Sequence, residues 1–197
     1  MTRVIDRRTG GVRWTMKRVD CAEGRGKAVE DLLAPNLRVL LVGINPSTCS
    51  GAAGLHFASP GNRLWETLHR SGFTDRRLLP DERSELLARG IGISNLVNKA
   101  TARADEVNRD DLIAGGLRLR EVVARFRPRY VAVLGIGDYR TAFDHRDAQL
   151  GRQPIEISGV PLWVLPNPSG LNAHYTVDNL APLYHELLVA IESQAAT

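Results

Sequence analysis

The sequence predicts an α/β fold, a three-layer α/β/α sandwich around a central, mostly parallel sheet. Two observations carry this. Apolar, Val-containing runs at 38–43, 130–134 and 160–165 are too short for self-sufficient helices and read as strands buried on both faces. Stretches with apolar residues at helical spacing lie between them, so strand and helix alternate along the chain. Each run also stops abruptly at Gly or Pro. In open α/β sheets the carboxyl ends of the strands are where ligands bind.

Residues 1–27 show no clear periodicity and read as an arm, flexible in part, before a single domain at 28–197. Val29–Leu33 reads as a short helical turn ahead of Pro35. After the first strand, 44–61 is a long Gly-rich loop, a length that inside a compact domain usually signals function. A helix at 62–71 carries Leu64, Trp65 and Leu68 and stops at Gly72. A shorter one spans 81–88, between Pro80 and Gly90. Residues 91–97 form a short strand. The helix at 110–126 has Leu112, Leu119, Val122, Val123 and Phe126 on one face and ends at Pro128. A short helix at 138–143 follows the second buried strand. Residues 154–157 and 160–165 form a strand pair turning at Ser158-Gly159. The last helix covers 177–191, with Pro182 in its first turn or kinking it.

Composition narrows the function classes. A chain of 197 residues with 43% hydrophobic content is long enough for one domain with a proper core. No apolar run approaches a membrane span, and the Arg-rich N-terminus lacks the apolar core of a signal peptide, so a cytoplasmic protein is expected. The two cysteines, Cys21 and Cys49, make no C-x-x-C pair, so neither a disulfide nor a zinc site is expected. Residues 1–27 hold eight basic and three acidic residues, while the whole chain is only +4, so the basic excess sits in the arm. Such an arm suits either contact with nucleic acid phosphates or a solvated tail.

No metal site is expected, because the five His show no ligand spacing. Gly135-Ile136-Gly137 lacks the third Gly of a dinucleotide fingerprint, and no phosphate loop or Gly-x-Ser-x-Gly elbow is present, so no cofactor is expected. What remains is two loops of similar grammar. Gly43-Ile44-Asn45-Pro46-Ser47 and Leu165-Pro166-Asn167-Pro168-Ser169-Gly170-Leu171 each leave a buried strand and contain Asn-Pro-Ser. If their strands are neighbours, both loops face one crevice.

These motifs resemble a known family. Gly43–Pro46, Gly54-Leu55-His56-Phe57, Pro60-Gly61-Asn62-Arg63-Leu64-Trp65, Ser71–Thr74, Gly92–Val97, Ala114-Gly115-Gly116 and Leu165–Leu171 are similar, in that order, to the signature of the mismatch-specific uracil/thymine DNA glycosylases, most of all the bacterial branch. The resemblance runs from about Val29 to Ile191. It implies a uracil-DNA glycosylase-like fold, a monomer, double-stranded DNA containing uracil or a mismatched base as partner, and no membrane partner.

The resemblance also implies roles. Asn45 would hold the attacking water. Asn95, where the bacterial branch has Lys, would orient Asn45 or the water, or be a simple turn amide. Ile44, Ser47, Leu55 and Phe57 would bind the base, with Phe57 stacking on it and Ser47 replacing a Gly beside its C5 face. Leu171 would be the wedge that fills the space of the flipped nucleotide. Asn167, Ser169, Gly170 and Asn172 would frame it and meet the opposite strand, and Ser50 would touch a phosphate. The implied activity is hydrolysis of the N-glycosidic bond of uracil, especially opposite guanine, in base excision repair. The alternatives are a DNA-mismatch or nucleotide-binding module without turnover and a hydrolase of free nucleosides. The latter lacks an acid cluster at a strand end.

Overall fold

The computed structural model describes residues 2–5, 12–15 and 20–195. A parallel sheet forms the centre. Its strands are β3 (Val39–Gly43), β4 (Ile91–Asn95), β5 (Val131–Leu134), β6 (Gly151–Ile157) and β7 (Val160–Leu165), in the order β4-β3-β5-β7-β6. Only β6 runs antiparallel, as the partner of β7. Residues 2–5 (β1) and 12–15 (β2) pair as a separate antiparallel hairpin, inside the stretch expected to be an unpatterned arm.

Alternation along the strands builds two cores. Val39 and Leu41 of β3, Ala132 and Leu134 of β5, and Trp163 and Leu165 of β7 face one side. There they meet Leu64, Trp65 and Leu68 of α2 (Leu64–Arg70), Leu86 of α3 (Arg83–Ala88), and Leu180, Tyr184 and Leu187 of α6 (Val177–Ala195). The intervening residues Leu40, Val42, Val131, Val133, Leu162 and Val164 face α4 (Arg109–Phe126) and α5 (Ile136–Phe143). The expected three-layer sandwich is what the chain forms, because period-2 strands buried on both faces need a helix layer on each side.

Four local expectations change. Residues 29–33 are not a helical turn: Leu32 exchanges both backbone hydrogen bonds with Ile93, at 2.8 and 2.9 Å, and extends along the edge of β4. Pairing with an open strand edge overrides a weak local helical pattern. The loop at 44–61 contains a helix, α1 (Thr48–Ala53), capped by the Ser47 hydroxyl and closed by Gly54 in the left-handed conformation. Pro182 lies inside α6, past its first turn, which removes the first of the two placements expected for it and leaves the second.

The fourth change is a disulfide between Cys21 and Cys49, where none was expected. A 3-10 turn at Cys21–Gly24 lies against α1, and that tertiary contact, invisible in the spacing of two cysteines, brings the sulfurs together. Two glycines permit it. A Cβ on Gly24 would stand 1.9 Å from the Thr48 carbonyl oxygen, and one on Gly51 would stand 2.4 Å from the Gly24 carbonyl oxygen. The chain then continues beside the segment after β4, with Gly26 N–H on Ala100 O and Ala100 N–H on Lys27 O. Among the described residues, no helix is long and apolar enough to cross a membrane.

Because the two glycine backbones interlock, Gly24→Ala should lower unfolding free energy by about 2 kcal/mol or more. A urea unfolding midpoint unchanged from wild type would contradict this packing.

Candidate active site

β3, β5 and β7 are parallel, so their carboxyl ends share one edge of the sheet. The two Asn-Pro-Ser loops leave that edge from β3 and β7. Their strands are not neighbours, since β5 lies between them. The loops nevertheless border one cavity of about 420 Å³, lined by Gly43–Ser50, by His56, Phe57 and Ser59, by Asn95 and Thr101–Ala104, and by Asn167 and Ser169–Leu171. That volume suits a small-molecule-sized group.

Asn45 stands at the cavity wall on a stiff track. Beyond the sheet, the chain after β3 keeps pairing with the chain after β4, through Leu96 N–H to Gly43 O, Val97 N–H to Ile44 O and Thr101 N–H to Pro46 O. The Asn45 amide nitrogen donates to Thr101 Oγ1 at 2.7 Å and to the Lys99 carbonyl at 3.2 Å. Thr101 Oγ1 in turn donates to the Arg103 carbonyl at 2.6 Å. The nitrogen side of the amide is thereby fixed, and the oxygen, Oδ1, has no partner among the described residues. It is an acceptor free to take a hydrogen from water.

Asn95 is 2% exposed and does not bond Asn45. Its amide nitrogen faces His56 Nδ1 at 3.3 Å. His56 Nε2 lies 3.0 Å from the Glu30 carbonyl, which can only accept, so Nε2 carries the proton and Nδ1 accepts from Asn95. Burial lowers the His56 pKa from its ordinary value, against the raising influence of the Glu30 carbonyl and Asp31. The ring is therefore neutral, which is what the Asn95 contact needs. Thr101, not Asn95, is the side-chain hydrogen-bond partner of the Asn45 amide, and Asn95 lines the cavity with its nitrogen on His56. Arg118 of α4 braces Asn95 by donating to its carbonyl and, at 2.9 Å, to Asp31.

Phe57 has a positive φ of 51°, uncommon for a bulky side chain and typical of a position held for function. Trp65 Nε1 holds its carbonyl at 3.1 Å. The ring packs on the core on one side and lines the cavity on the other. Gly43 makes room, for a Cβ there would lie 2.5 Å from Asn95 Oδ1 and 3.1 Å from Phe57 Cζ.

Ser47 lines the cavity with its hydroxyl committed. It accepts from Ser50 N–H at 3.1 Å and from Ser59 Oγ at 2.7 Å, and donates to Ser50 Oγ at 3.0 Å. Ser50, expected to reach a phosphate, is 1% exposed, and its oxygen also accepts from Ala58 N–H. It is part of the cavity wall rather than of the outer surface. Leu55, expected to bind the base, does not line the cavity; its N–H closes α1 on the Ser50 carbonyl. Ile44 is buried with its side chain in the core beside α5, yet borders the cavity.

Leu171 is 74% exposed on the cavity rim. Its loop is stiffened from within. Ser169 N–H donates to Asn167 Oδ1, Leu171 N–H to Ser169 Oγ, and the Asn172 side chain to the Asn167 carbonyl. Asn172 does not line the cavity, and its amide works inside the loop.

The family model of the uracil DNA glycosylase superfamily matches residues 30–188. The chain belongs to that superfamily. Membership places it among the DNA glycosylases, hydrolases of N-glycosyl bonds that serve DNA repair. A solution NMR structure from Methanosarcina acetivorans, described as a candidate uracil DNA glycosylase, superposes with a TM-score of 0.53. It covers 83% of this chain and 98% of that one at 16% identity, so the likeness is one of fold.

Within this glycosylase fold, the residues that sequence reasoning missed are Thr101, His56 and Gly43. Gly43 and His56 stand inside quoted motifs, but nothing local says what they touch. Thr101 follows the polar pair Asn98-Lys99 and the buried Ala100 after β4, and that pair was the available signal.

Since the folded His56 pKa lies below the unfolded value of 6.5, the unfolded chain takes up that proton first. The stability this site provides is then present above pH 6.5 and lost as pH falls below it. Urea unfolding at pH 7.5 and 5.5 (assay values of about this size) should show a smaller acid loss for His56→Gln than for wild type. An identical loss would show that His56 is not the titrating group.

Proposed function

We propose that the protein is a monofunctional DNA glycosylase. It flips uracil, above all uracil opposite guanine, out of duplex DNA and hydrolyses its N-glycosidic bond. The observation that carries this reading is the single cavity that gathers Asn45, Phe57 and Leu171. One group can hold water, one can stack on a base, and one exposed apolar wedge can fill a vacated stack.

A base inside a duplex is out of reach of any cavity, so the nucleotide must rotate out, at a cost of a few kcal/mol that is smaller at a mismatch. Leu171 fills the gap, and Phe57 receives the base by stacking, a contact worth roughly 1–3 kcal/mol. Asn45 Oδ1 accepts a hydrogen from a water aimed at C1′. The C1′–N bond breaks with its electron pair going to the base, the sugar passes through oxocarbenium character, and the water oxygen bonds to C1′ while its proton passes to the departing base anion or to solvent, Asn45 taking only a hydrogen bond. No carboxylate lines the cavity among the described residues, and the His56 ring nitrogens are both engaged. Catalysis therefore rests on placement of water and on fixed dipoles that stabilise the departing base anion, rather than on a strong general base. The product is an abasic site. Neither Lys27 nor Lys99 lines the cavity, so among the described residues no lysine amine is set for a lyase step.

Asn45→Ala should lower single-turnover excision from a G·U duplex by about 100-fold while mismatch binding stays near wild type. Equal cleavage rates would remove Asn45 from the mechanism. A wild-type protein that shifts G·U duplex in a gel but produces no alkali-labile sites would favour the binding module.

Ser47 gives the second expectation. Its side chain stands where a Gly would leave the wall open beside the base C5 position, and its hydroxyl is tied into the wall by three hydrogen bonds. Uracil should be excised opposite guanine faster than thymine, and Ser47→Gly should narrow the gap. Thymine removal as fast as uracil removal by the wild type would defeat this.

A further inference from the structure

The cavity wall carries one charge. Among the described residues that line it there is no carboxylate and no lysine, His56 is neutral, and Arg103 is the only cation. Arg103 comes to the mouth from the segment after β4, whereas the Leu171 loop comes from β7. These strands lie on opposite sides of the β3–β5 pair, so the cation and the apolar wedge enter from two sides. The backbone of Arg103 is fixed there. Its carbonyl accepts from Thr101 Oγ1, the hydroxyl that holds Asn45, and its N–H donates to Glu106 Oε1 at 3.0 Å. Glu106 is itself paired with Arg25 at 2.5 Å.

The Arg103 side chain already holds an oxyanion. Nε donates to both oxygens of Asp105, at 3.1 Å each, and Nη2 donates to Oδ2 at 2.8 Å, while Nη1 makes no hydrogen bond among the described residues. The two side chains are 70% and 64% exposed. An ion pair in contact with water is weak, because solvent screens it and ordering the side chains opposes it. A second oxyanion can therefore displace the carboxylate. Asp105 occupies the planar guanidinium fork as a phosphate would, through two oxygens. The substrate supplies such a group. A base drawn into a cavity brings its sugar to the mouth, and the phosphates on either side of that sugar then lie on the rim. The domain at 28–197 has no basic excess, so a single rim cation carries weight in holding a polyanion.

We propose that Arg103 grips a backbone phosphate beside the flipped nucleotide, and that Asp105 is its internal competitor, displaced when duplex DNA binds. The inference rests on the uracil-DNA glycosylase reading for why DNA lies across this mouth, but its test does not need turnover. Asp105 takes the guanidinium back as the phosphate leaves, so the pair limits how tightly the protein holds its abasic product. Because the Arg103 carbonyl also receives Thr101 Oγ1, the phosphate grip is set on the same short segment that fixes Asn45.

The test measures binding of wild type, Arg103→Ala, Asp105→Asn and the double variant to a duplex with a tetrahydrofuran abasic analogue opposite guanine. Fluorescence anisotropy is followed between about 50 and about 200 mM NaCl. Arg103→Ala should weaken binding about tenfold and lower the slope of log affinity against log salt by about 1, the mark of one lost phosphate contact. Asp105→Asn should tighten binding about threefold, since the guanidinium no longer has to leave a carboxylate. In the Arg103→Ala background the same Asp105 change should gain less, because no latch remains to release. An unchanged salt slope in Arg103→Ala would overturn the proposal. So would no tightening by Asp105→Asn, or an equal or larger gain without Arg103, which would mean only that a negative charge near DNA had been removed. Arg103-dependent binding of free deoxyuridine 5′-phosphate as tight as that of the duplex would make this a mononucleotide site and would also overturn it. If Arg103→Ala does not fold, Arg103→Gln carries the comparison. Absence of uracil excision by the wild type would count against the enzymatic reading alone, because none of these measurements depends on cleavage.

Discussion

The site depends on a missing side chain. Gly43 ends β3 at the point where the Asn95 amide and the Phe57 ring close in from two directions, and a Cβ would overlap the first and crowd the second. Because that space is empty, Asn95 can keep its oxygen beside Gly43 while its nitrogen donates to His56. Phe57 can hold its left-handed backbone with the ring against the strand end. Asn45, two residues on, then enters the cavity at a fixed height. A close-packed interior transmits such a constraint, since neighbours cannot shift to absorb an added methyl group.

Polar side chains around the cavity are held by the backbone more than by each other. Asn45 is fixed by Thr101 and the Lys99 carbonyl, His56 by the Glu30 carbonyl, and the wedge loop by carbonyls that converge on Arg63. Two of these arrangements leave an acceptor oxygen uncommitted, Oδ1 of Asn45 and the carbonyl of Leu171, among the described residues. This is preorganisation, in which the cost of ordering is met in folding and not again when a ligand arrives.

The arm and the disulfide belong to the same architecture. Cys49 lies in α1, directly after the Asn-Pro-Ser loop, and its bond to Cys21 joins the start of the chain to the cavity wall. The segment from Gly26 to Leu32 then runs beside the chain after β4 and along the edge of β4, the same stretch that carries Thr101 and Asn95. An edge strand that would otherwise expose unpaired backbone groups is thereby covered.

Much was legible from local pattern. Buried apolar runs and helical periodicity name the sandwich because burial on both faces leaves one arrangement of layers. Chain-breaking Asn-Pro-Ser after two of those runs marks the functional edge, because a stiff polar loop at a strand end has few other uses. Ser47 and Gly54 even carry the cap signals of α1, though the glycines around them mask the helix. What only the tertiary structure decided is partnership: Thr101 rather than Asn95 on Asn45, Ser50 turned inward, Cys21 on Cys49, Arg63 under the wedge. In each case the two groups lie far apart in sequence or are chosen by which lone pair or N–H remains free. Periodicity says which face a side chain occupies, but only the folded chain says what waits there.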